Sequence, residues 1–315
     1  MELADTSLFF IMKTPLVSVV VISYNSSKTI EETLDSICNQ DYSPLELIIS
    51  DDASPDDTVN IAKTWVKKNR SRFVRAEILV AEKNGGIPAN LNRGIAVSNG
   101  EFLKSIAADD ILLPNCISDN VAFMQANPEA KIVFSKIREF HDEPQGNRFF
   151  SEKTAPASVP HFFNLSAKEQ HDELLNECCC NAPTAFFKTN FIKSSPYSVL
   201  YPAMEDWPKW INATNSGVKL FFLDKETVFY RVGDSVSSTA ASVFYSSRFM
   251  DSRKLFYLHE LRSELTKRGM KKLRAKYDRE FLRYDLLMAL FDNKKTWWSS
   301  VCRHLISRFL KVFVR

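Results

Sequence analysis

Hydrophobic runs alternate with amphipathic segments over the first 110 residues. Leu16 to Ser23 is a continuous, mostly β-branched run, which is typical of a buried parallel strand. The segment after it places Ile30, Leu34 and Ile37 on one face, as in a helix. The alternation continues with predicted strands at 45–50, 73–81 and 102–106 and predicted helices at 58–69 and 84–98. Such repetition predicts an α/β fold, with a mostly parallel sheet flanked by helices.

The second half of the chain has a weaker pattern. The segment 144–160 is rich in Pro, Ser and charge, which predicts a mobile loop. Helices are expected at 169–180 and 207–216, and strands at 184–187 and 219–230. After Ser247 the chain is expected to be helical to its end. We therefore predict an α/β domain over residues 1–247 and a helical C-terminal region over residues 248–315.

Polar side chains follow three of the predicted strands. Asn25 follows the first, Asp51 and Asp52 the second, and Asp109 and Asp110 the fourth. Ligands of such sheets bind at the carboxyl ends of the strands, so these side chains are expected to meet at a ligand site. Asp51 and Asp52 are placed to accept hydrogen bonds from a base edge or from ribose hydroxyls. Asp109 and Asp110 are costly to hold together unless a cation neutralises them, and Mg²⁺ or Mn²⁺ shared with substrate phosphates would do so. The alternative for both acid pairs is helix capping.

Two further groups are candidates for chemistry. Glu205-Asp206 precedes Trp207, and a carboxylate desolvated by tryptophan can act as a general base; a helix N-cap is the alternative. Another helix is expected to begin beside Gly86. The N-terminus of a helix can bind phosphate, so this segment is a candidate phosphate contact; a plain turn is the alternative. The polar residues of that second group are Lys83, Asn84 and Arg93.

Charge is distributed unevenly along the 315 residues. The net charge is +3, but residues 262–315 carry 15 Lys and Arg against 5 Asp and Glu. In this tail, Trp297, Trp298, Leu305 and Phe309 are interleaved with cations, which indicates an amphipathic helix on an anionic membrane surface or, alternatively, one packed on the domain. Nucleic-acid binding is not expected, because no recognisable binding fold accompanies the charge.

Localisation is expected to be cytoplasmic. No apolar run approaches the length of a membrane span, and the early run 8–12 is too short for a secretory signal. The six cysteines show no metal-ligand spacing and read as reduced thiols.

Taken together, these motifs resemble glycosyltransferase family 2, whose GT-A fold is a Rossmann-like, mostly parallel sheet flanked by helices. The resemblance covers about residues 15–236, and its motifs occur in the order expected for the family. The matching segments are 19–25 (VVVISYN), 46–54 (ELIISDDAS), 84–94, 108–110 (ADD), 205–206 (ED) and 229–232 (FYRV).

The resemblance implies an inverting transfer of a hexose from a UDP-sugar, with Mn²⁺ or Mg²⁺ as cofactor. Tyr24, Asn25, Asp51 and Asp52 would bind the nucleoside. Asp109 would hold the metal, Asp110 would position the sugar or the metal shell, and Asp206, beside Glu205, would be the base. Arg231 would meet phosphate in a closing segment that includes Ser235 and Ser237. The acceptor would be a glycan hydroxyl, on a lipid-diphosphate-linked sugar of O-antigen or capsule synthesis at the inner face of the membrane.

Two positions depart from the family pattern. Ala107 replaces the first acid of the metal-binding motif, and Gly233 stands where some relatives carry a histidine. Two other functions fit parts of the sequence: a nucleotide-sugar-binding protein without catalysis, and a nucleotidyltransferase. The second is disfavoured because Tyr24-Asn25-Ser26-Ser27 contains no glycine.

Overall fold

The computed structural model describes residues 14–143, 148–157, 159–233 and 242–313; for residues 312 and 313 only the backbone is described. The strands in these ranges are β1 (Val17–Ser23), β2 (Leu45–Asp51), β3 (Arg75–Val80), β4 (Phe102–Ala107), β5 (Ile111–Leu112), β6 (Ile132–Asp142), β7 (Arg148–Ala155), β8 (Phe186–Lys188) and β9 (Phe221–Arg231). The α-helices are α1 (Ile30–Cys38), α2 (Thr58–Asn69), α3 (Ile87–Val97), α4 (Cys116–Ala126), α5 (Ala167–Leu174), α6 (Thr189–Ser194), α7 (Asp206–Asn215), α8 (Ser247–Phe256), α9 (Arg262–Lys267), α10 (Lys271–Phe291) and α11 (Trp297–Phe313).

All the strands join one sheet in the order β3-β2-β1-β4-β8-β6-β9-β5, with β7 added beside β6. The half formed by β3, β2, β1 and β4 is parallel, whereas β8 runs antiparallel to both of its neighbours. Ser23 of β1 pairs with Asp51 of β2, so the two strands end level with each other. The carboxyl ends of the parallel half therefore form one edge, which the polar loops extend.

Apolar cores cover both faces of the sheet. Alternate residues of a strand face opposite sides, so Val20 faces one core and Val19 the other. Helices α3, α5, α7, α8 and α10 contribute to the first core, and α1, α2 and α4 to the second. This double burial explains why β1 and β2 are continuous apolar runs rather than alternating ones.

The C-terminal helices pack on the first core. Phe256 at the end of α8 stacks edge-on against Trp207 of α7, and Tyr277 and Phe281 of α10 are buried in the same cluster. The predicted α/β fold with a helical C-terminal extension is confirmed. Within the described ranges, no helix combines the length and apolarity that a bilayer span requires. The division into residues 1–247 and 248–315 stays a prediction.

The predicted mobile loop at 144–160 is wrong for part of its length. Residues 148–155 form β7, which pairs antiparallel with β6 and places Phe150 opposite Phe140 with their rings stacked at 5.6 Å. The helix predicted at 169–180 ends at Leu174. The polar composition of residues 144–160 had predicted a loop. Aromatic pairs between β6 and β7 order part of it instead, and such pairing is not visible in local composition.

Candidate active site

A cavity of about 480 Å³ opens at the carboxyl edge of the parallel strands. One wall is the loop after β1, and the opposite wall carries Asp109, Arg231 and Gly233. Tyr24 stands at its mouth with 48% of its surface exposed. The residues that line it are Tyr24, Asn25, Ser26, Ser27, Lys28, Thr29, Asp56, Asp109, Arg231 and Gly233. Asn25, after β1, and Asp109, after β4, therefore meet as predicted.

The loop after β1 is held by backbone donors. Asn25 adopts a left-handed conformation (φ 55°), and its amide donates to Ser54 Oγ at 2.8 Å. The Ser27 amide donates to Asp56 Oδ2 at 3.0 Å. Burial alone would raise the pKa of Asp56, but hydrogen bonds from Thr58 and Ser27 lower it to about 2. The asparagine side chain and Tyr24 are thus presented by a rigid turn.

Asp51 and Asp52 are both buried behind this wall. Asp51 accepts from Ser23 Oγ at 2.8 Å and from the Ser54 amide at 2.8 Å, so it anchors the loops after β1 and β2. Asp52, only 2% exposed, accepts from the amides of Gly85 and Gly86 at 3.0 and 2.8 Å. The helix N-terminus that was expected to bind phosphate thus already has two of its backbone amides hydrogen-bonded to the carboxylate of Asp52.

The other residues of the α3 segment have separate surroundings. Arg93 donates to Asp52 Oδ1 at 3.1 Å and to the Asp51 carbonyl oxygen at 3.0 Å, so it supports the buried acid. Asn84 is exposed and accepts from Arg248 at 3.3 Å, and Lys83 is exposed. The structure does not bring these three side chains into the cavity lining, and their contact with the donor stays a prediction.

Asp109 and Asp110 sit where β4 ends. Asp109 is half-buried and lines the cavity, whereas Asp110 is 2% exposed and its Oδ1 accepts the Arg231 amide at 3.0 Å. Burial raises the pKa of both carboxyl groups, and repulsion by Asp109 helps to raise that of Asp110 to about 8. The next helix is capped at Asn115, so neither acid caps it.

Arg231, at the end of β9, crosses over the β4 acids. Its Nε donates to the Asp109 carbonyl oxygen at 2.7 Å, and its remaining nitrogens pair with Glu32 (2.6 Å) and Asp142. The guanidinium lies 4.5 Å from the Phe140 ring centroid, and the guanidinium of Arg148 lies 4.7 Å from the same centroid. A phosphate at this arginine would share it with carboxylates. Glu32 and Asp142 were not identified from the sequence, because their partner is remote in the chain.

Glu205 and Asp206 form the second acid pair, at the start of α7. Burial and mutual repulsion raise the pKa of Glu205 to about 8, and burial raises that of Asp206. Asp206 Oδ1 accepts the Trp207 amide at 2.7 Å, and Oδ2 faces the Cys178 thiol at 3.8 Å. Glu205 occupies the N-cap position but makes no capping hydrogen bond, so capping does not account for the pair.

Tyr230 lies within electrostatic reach of both acid pairs. Burial raises its pKa to about 12, and the charges of Asp110, Asp109, Glu139 and Glu205 act in the same direction. Sequence reasoning included Tyr230 only as part of a segment, because its place beside the β4 acids depends on the pairing of β9 with β5.

Gly86 joins the Asp52 loop to the Glu205-Asp206 loop. The Ile87 amide donates to the Pro202 carbonyl oxygen at 3.1 Å, and Gly86 has φ 87° and ψ 172°. A Cβ at Gly86 would lie 2.6 Å from that same oxygen. Only glycine allows this approach, which sets the position of the chain three residues before Glu205.

A divalent cation fits the β4 acids. Two adjacent carboxyl groups with raised pKa values form an environment in which a cation would stabilise the charged forms. Across the described part of the chain, no three His, Cys, Asp or Glu side chains converge as metal ligands. Asp109 would therefore hold the ion together with substrate oxygens and water, which is how Mg²⁺ is commonly bound. Ser235 and Ser237 lie outside the described residues.

The family model of Glycosyl transferase family 2 matches residues 18–190, more than half of the chain. The chain belongs to this family. The resemblance found in the sequence motifs is thereby confirmed. The first curated relatives are matched over less than half of their own length. Another, WfaP of Escherichia coli, named a UDP-Glc:alpha-D-GlcNAc-diphosphoundecaprenol beta-1,3-glucosyltransferase, is 26% identical over 69% of this chain and 77% of its own.

Solved structures share the fold of this family 2 chain. S. aureus TarS 1-349, solved in complex with UDP-GlcNAc, aligns with a TM-score of 0.58 and 22% identity over 87% of this chain and 73% of its own. The Pyrobaculum calidifontis mannosyltransferase PcManGT, solved with GDP-Man and Mn²⁺, gives a TM-score of 0.52 and 14% identity over 96% and 88%. These similarities support the predicted GT-A fold.

Proposed function

We propose that this chain transfers a hexose from a UDP-sugar to a hydroxyl of a glycan acceptor, with inversion at the sugar carbon. The observation that carries the proposal is that two acid pairs, one suited to a cation and one suited to base catalysis, lie within electrostatic reach of the same phenol, Tyr230. Membership of family 2 supports glycosyl transfer, and the bound nucleotide sugar of TarS supports a UDP-linked donor.

The donor would lie along the cavity at the strand edge. Tyr24, exposed at the mouth, is available to stack on the base, and Asn25 would bind nucleoside polar groups in the loop that Asp51 and Asp52 hold. Asp109, with Asp110 behind it, would hold Mn²⁺ or Mg²⁺. When bound, the ion would neutralise charge on the diphosphate as that group leaves. The Mn²⁺ in PcManGT supports such a cofactor.

Asp206 would act as the general base. Its Oδ1 is fixed by the Trp207 amide, and Oδ2, which accepts the Cys178 thiol at 3.8 Å, would take the proton of the acceptor hydroxyl. The hydroxyl oxygen forms a bond to the sugar C1 as the C1–O bond to the diphosphate breaks, and UDP leaves. Burial keeps the pKa of Asp206 above its usual range, which makes its carboxylate a stronger base. An α-linked donor would give a β-linked product.

The acceptor is proposed to be a lipid-diphosphate-linked sugar of O-antigen or capsule synthesis, handled at the inner face of the cell membrane. The name of WfaP, a diphosphoundecaprenol-dependent glucosyltransferase, supports this class. So does α11, on which Trp298, Leu305 and Phe309 are 70%, 58% and 58% exposed. Spaced along one side of the helix and accompanied by cations such as Arg308, these side chains suit an anionic bilayer surface.

The test is release of nucleoside diphosphate from a panel of UDP-glucose, UDP-galactose, UDP-GlcNAc and GDP-mannose, with Mn²⁺, Mg²⁺ or EDTA. We expect slow hydrolysis of one UDP-sugar that EDTA and Asp109→Ala abolish. The matched control is Asp41→Asn, an exposed acid outside the cavity, which should behave as wild type. Asp206→Asn should retain donor binding while acceptor transfer falls about 100-fold or more. If no nucleotide sugar bound or turned over, glycosyl transfer would be refuted.

A further inference from the structure

A second cavity, of about 470 Å³, lies between α8, α10 and α11. Its lining holds five cationic side chains and, among the described residues that form it, one carboxylate. These residues are Arg253, Lys276, Arg279, Glu280, Arg283, Ser307, Leu310 and Lys311. We call this set the basic cavity, and its formal charge is +4. Neither the family fold nor the chemistry proposed above accounts for it.

The contacts of Lys276 and Arg283 in the basic cavity orient these two cations without neutralising them. Arg253, by contrast, pairs with Glu280, the one carboxylate among the described residues of the lining. Arg283 Nε donates to the Tyr245 hydroxyl at 3.0 Å, and Lys276 Nζ donates to Asn176 Oδ1 at 2.9 Å. These two acceptors are uncharged. Lys276 and Arg283 are therefore held in place while their positive charge persists inside a concave surface.

Such a cavity is suited to a multivalent anion. Like charges gathered in a cleft with low-dielectric walls focus a positive potential, which an anion would relieve. Arginine forks match phosphate oxygens in two-point hydrogen bonds, and three arginines line the cavity. A phosphate or diphosphate group, with several oxygens and more than one negative charge, fits this set better than a single carboxylate.

The basic cavity is lined by α11 on one side, and on the other side Arg253 links it to the helix that carries the proposed base. Ser307, Leu310 and Lys311 come from α11, the helix that carries the exposed apolar side chains. On the other side, the Arg253 guanidinium lies 5.6 Å from the Trp207 ring centroid, and the Trp207 amide binds Asp206. We propose that the basic cavity binds a phosphate group carried by a lipid, either an anionic headgroup or the diphosphate of the acceptor. The second source rests on the proposed function; the first does not.

The first experiment uses inorganic pyrophosphate, titrated calorimetrically into the full chain in EDTA, so that cation-dependent binding at the strand edge is suppressed. We expect one pyrophosphate per chain. The double variant Arg279→Gln/Arg283→Gln should bind at least tenfold more weakly. The control Lys271→Gln/Lys272→Gln removes the same charge from exposed positions of α10 and should change affinity less than twofold. Equal losses in both variants, or no binding by wild type, would overturn the proposal.

The single variant Lys311→Gln guards against misfolding of the double variant, because it alters only the α11 side of the cavity. It should weaken binding about threefold while the unfolding temperature stays unchanged; wild-type affinity would count against the site.

Two further probes separate the sources of phosphate. In one outcome, geranyl diphosphate displaces pyrophosphate, and phosphatidylglycerol vesicles bind wild type and double variant equally. That outcome would identify a prenyl diphosphate as the ligand. Vesicle binding that requires phosphatidylglycerol and is lost in the double variant would identify a headgroup. Neither assay needs sugar transfer, so failure of the proposed function would leave them readable.

Discussion

The contact between Gly86 and Pro202 allows a sharp test of how the site is assembled. Gly86→Ala would place a Cβ 2.6 Å from the Pro202 carbonyl oxygen, in a backbone region (φ 87°, ψ 172°) that is close to glycine-only. The matched control is Gly217→Ala, which also has positive φ (80°) but whose Cβ would have no neighbour within 4 Å. Both changes stiffen the unfolded chain equally, so their difference reports the clash and the difference in local strain.

The magnitude follows from what the clash displaces. Backbone strain at Gly86 costs about 1–3 kcal/mol. Moving the loop also weakens the hydrogen bond from the Ile87 amide to the Pro202 carbonyl oxygen, which contributes about 1 kcal/mol. It weakens as well the hydrogen bonds from the amides of residues 85 and 86 to Asp52, which contribute roughly 1.5 kcal/mol because their acceptor is charged. The total is roughly 4 kcal/mol, against about 1 kcal/mol for Gly217→Ala.

Thermal unfolding is the assay for stability. For a chain of this length, 1 kcal/mol corresponds to roughly 1.5 °C, so Gly86→Ala should unfold about 6 °C below wild type and Gly217→Ala about 1.5 °C below. UDP-sugar hydrolysis should fall at least tenfold in Gly86→Ala but not in Gly217→Ala, because a shift of Pro202 also moves Glu205 and Asp206, which lie three and four residues further along the chain. Equal unfolding temperatures and activities in the two variants would refute the reasoning.

Three other results are expected. Asp109→Asn should abolish activation by Mn²⁺ in a metal titration of donor hydrolysis; unchanged activation would place the ion elsewhere. Because the pKa of Glu205 is raised to about 8, the folded state holds its proton more tightly than the unfolded one, so the unfolding temperature should fall as pH rises from about 4 to 8; Asp206→Asn, which removes the repulsion, should flatten that fall. Burial raises the pKa of Asp206, and the hydrogen bond from the Cys178 thiol offsets part of that rise, so Cys178→Ala should move the acidic limb of the kcat/KM profile to higher pH; an unmoved limb would exclude the contact.

The parallel half of the sheet could be predicted because its signals are local. β1 and β2 are buried on both faces, so each reads as one apolar run, and α2 spans the residues predicted for it. The acids at the strand ends were identified for the same reason. The sheet edge brings Asn25 and Asp109 together in one cavity without any further information.

β6 could not be predicted because its order comes from remote partners. No strand was predicted there, since Lys136 and Arg138 break the apolar pattern; these two residues pair with Asp224 and Glu226 of β9. Likewise, the roles of Asp52 as an amide acceptor depend on residues more than 30 positions away. A charged residue looks solvent-exposed until the strand that neutralises it is known.

The pairing of β5 with β9 has a consequence for how the protein can be shortened. β5 bonds Ile111 to Phe229 and Leu112 to Val228, and the Arg231 amide holds Asp110. The family match ends at residue 190, before α7 and β9 begin. A fragment excised at the limits of that match would keep Asp109 yet leave β5 without its partner. A fragment that keeps this strand pairing must therefore extend beyond the family-model match, at least to the end of β9.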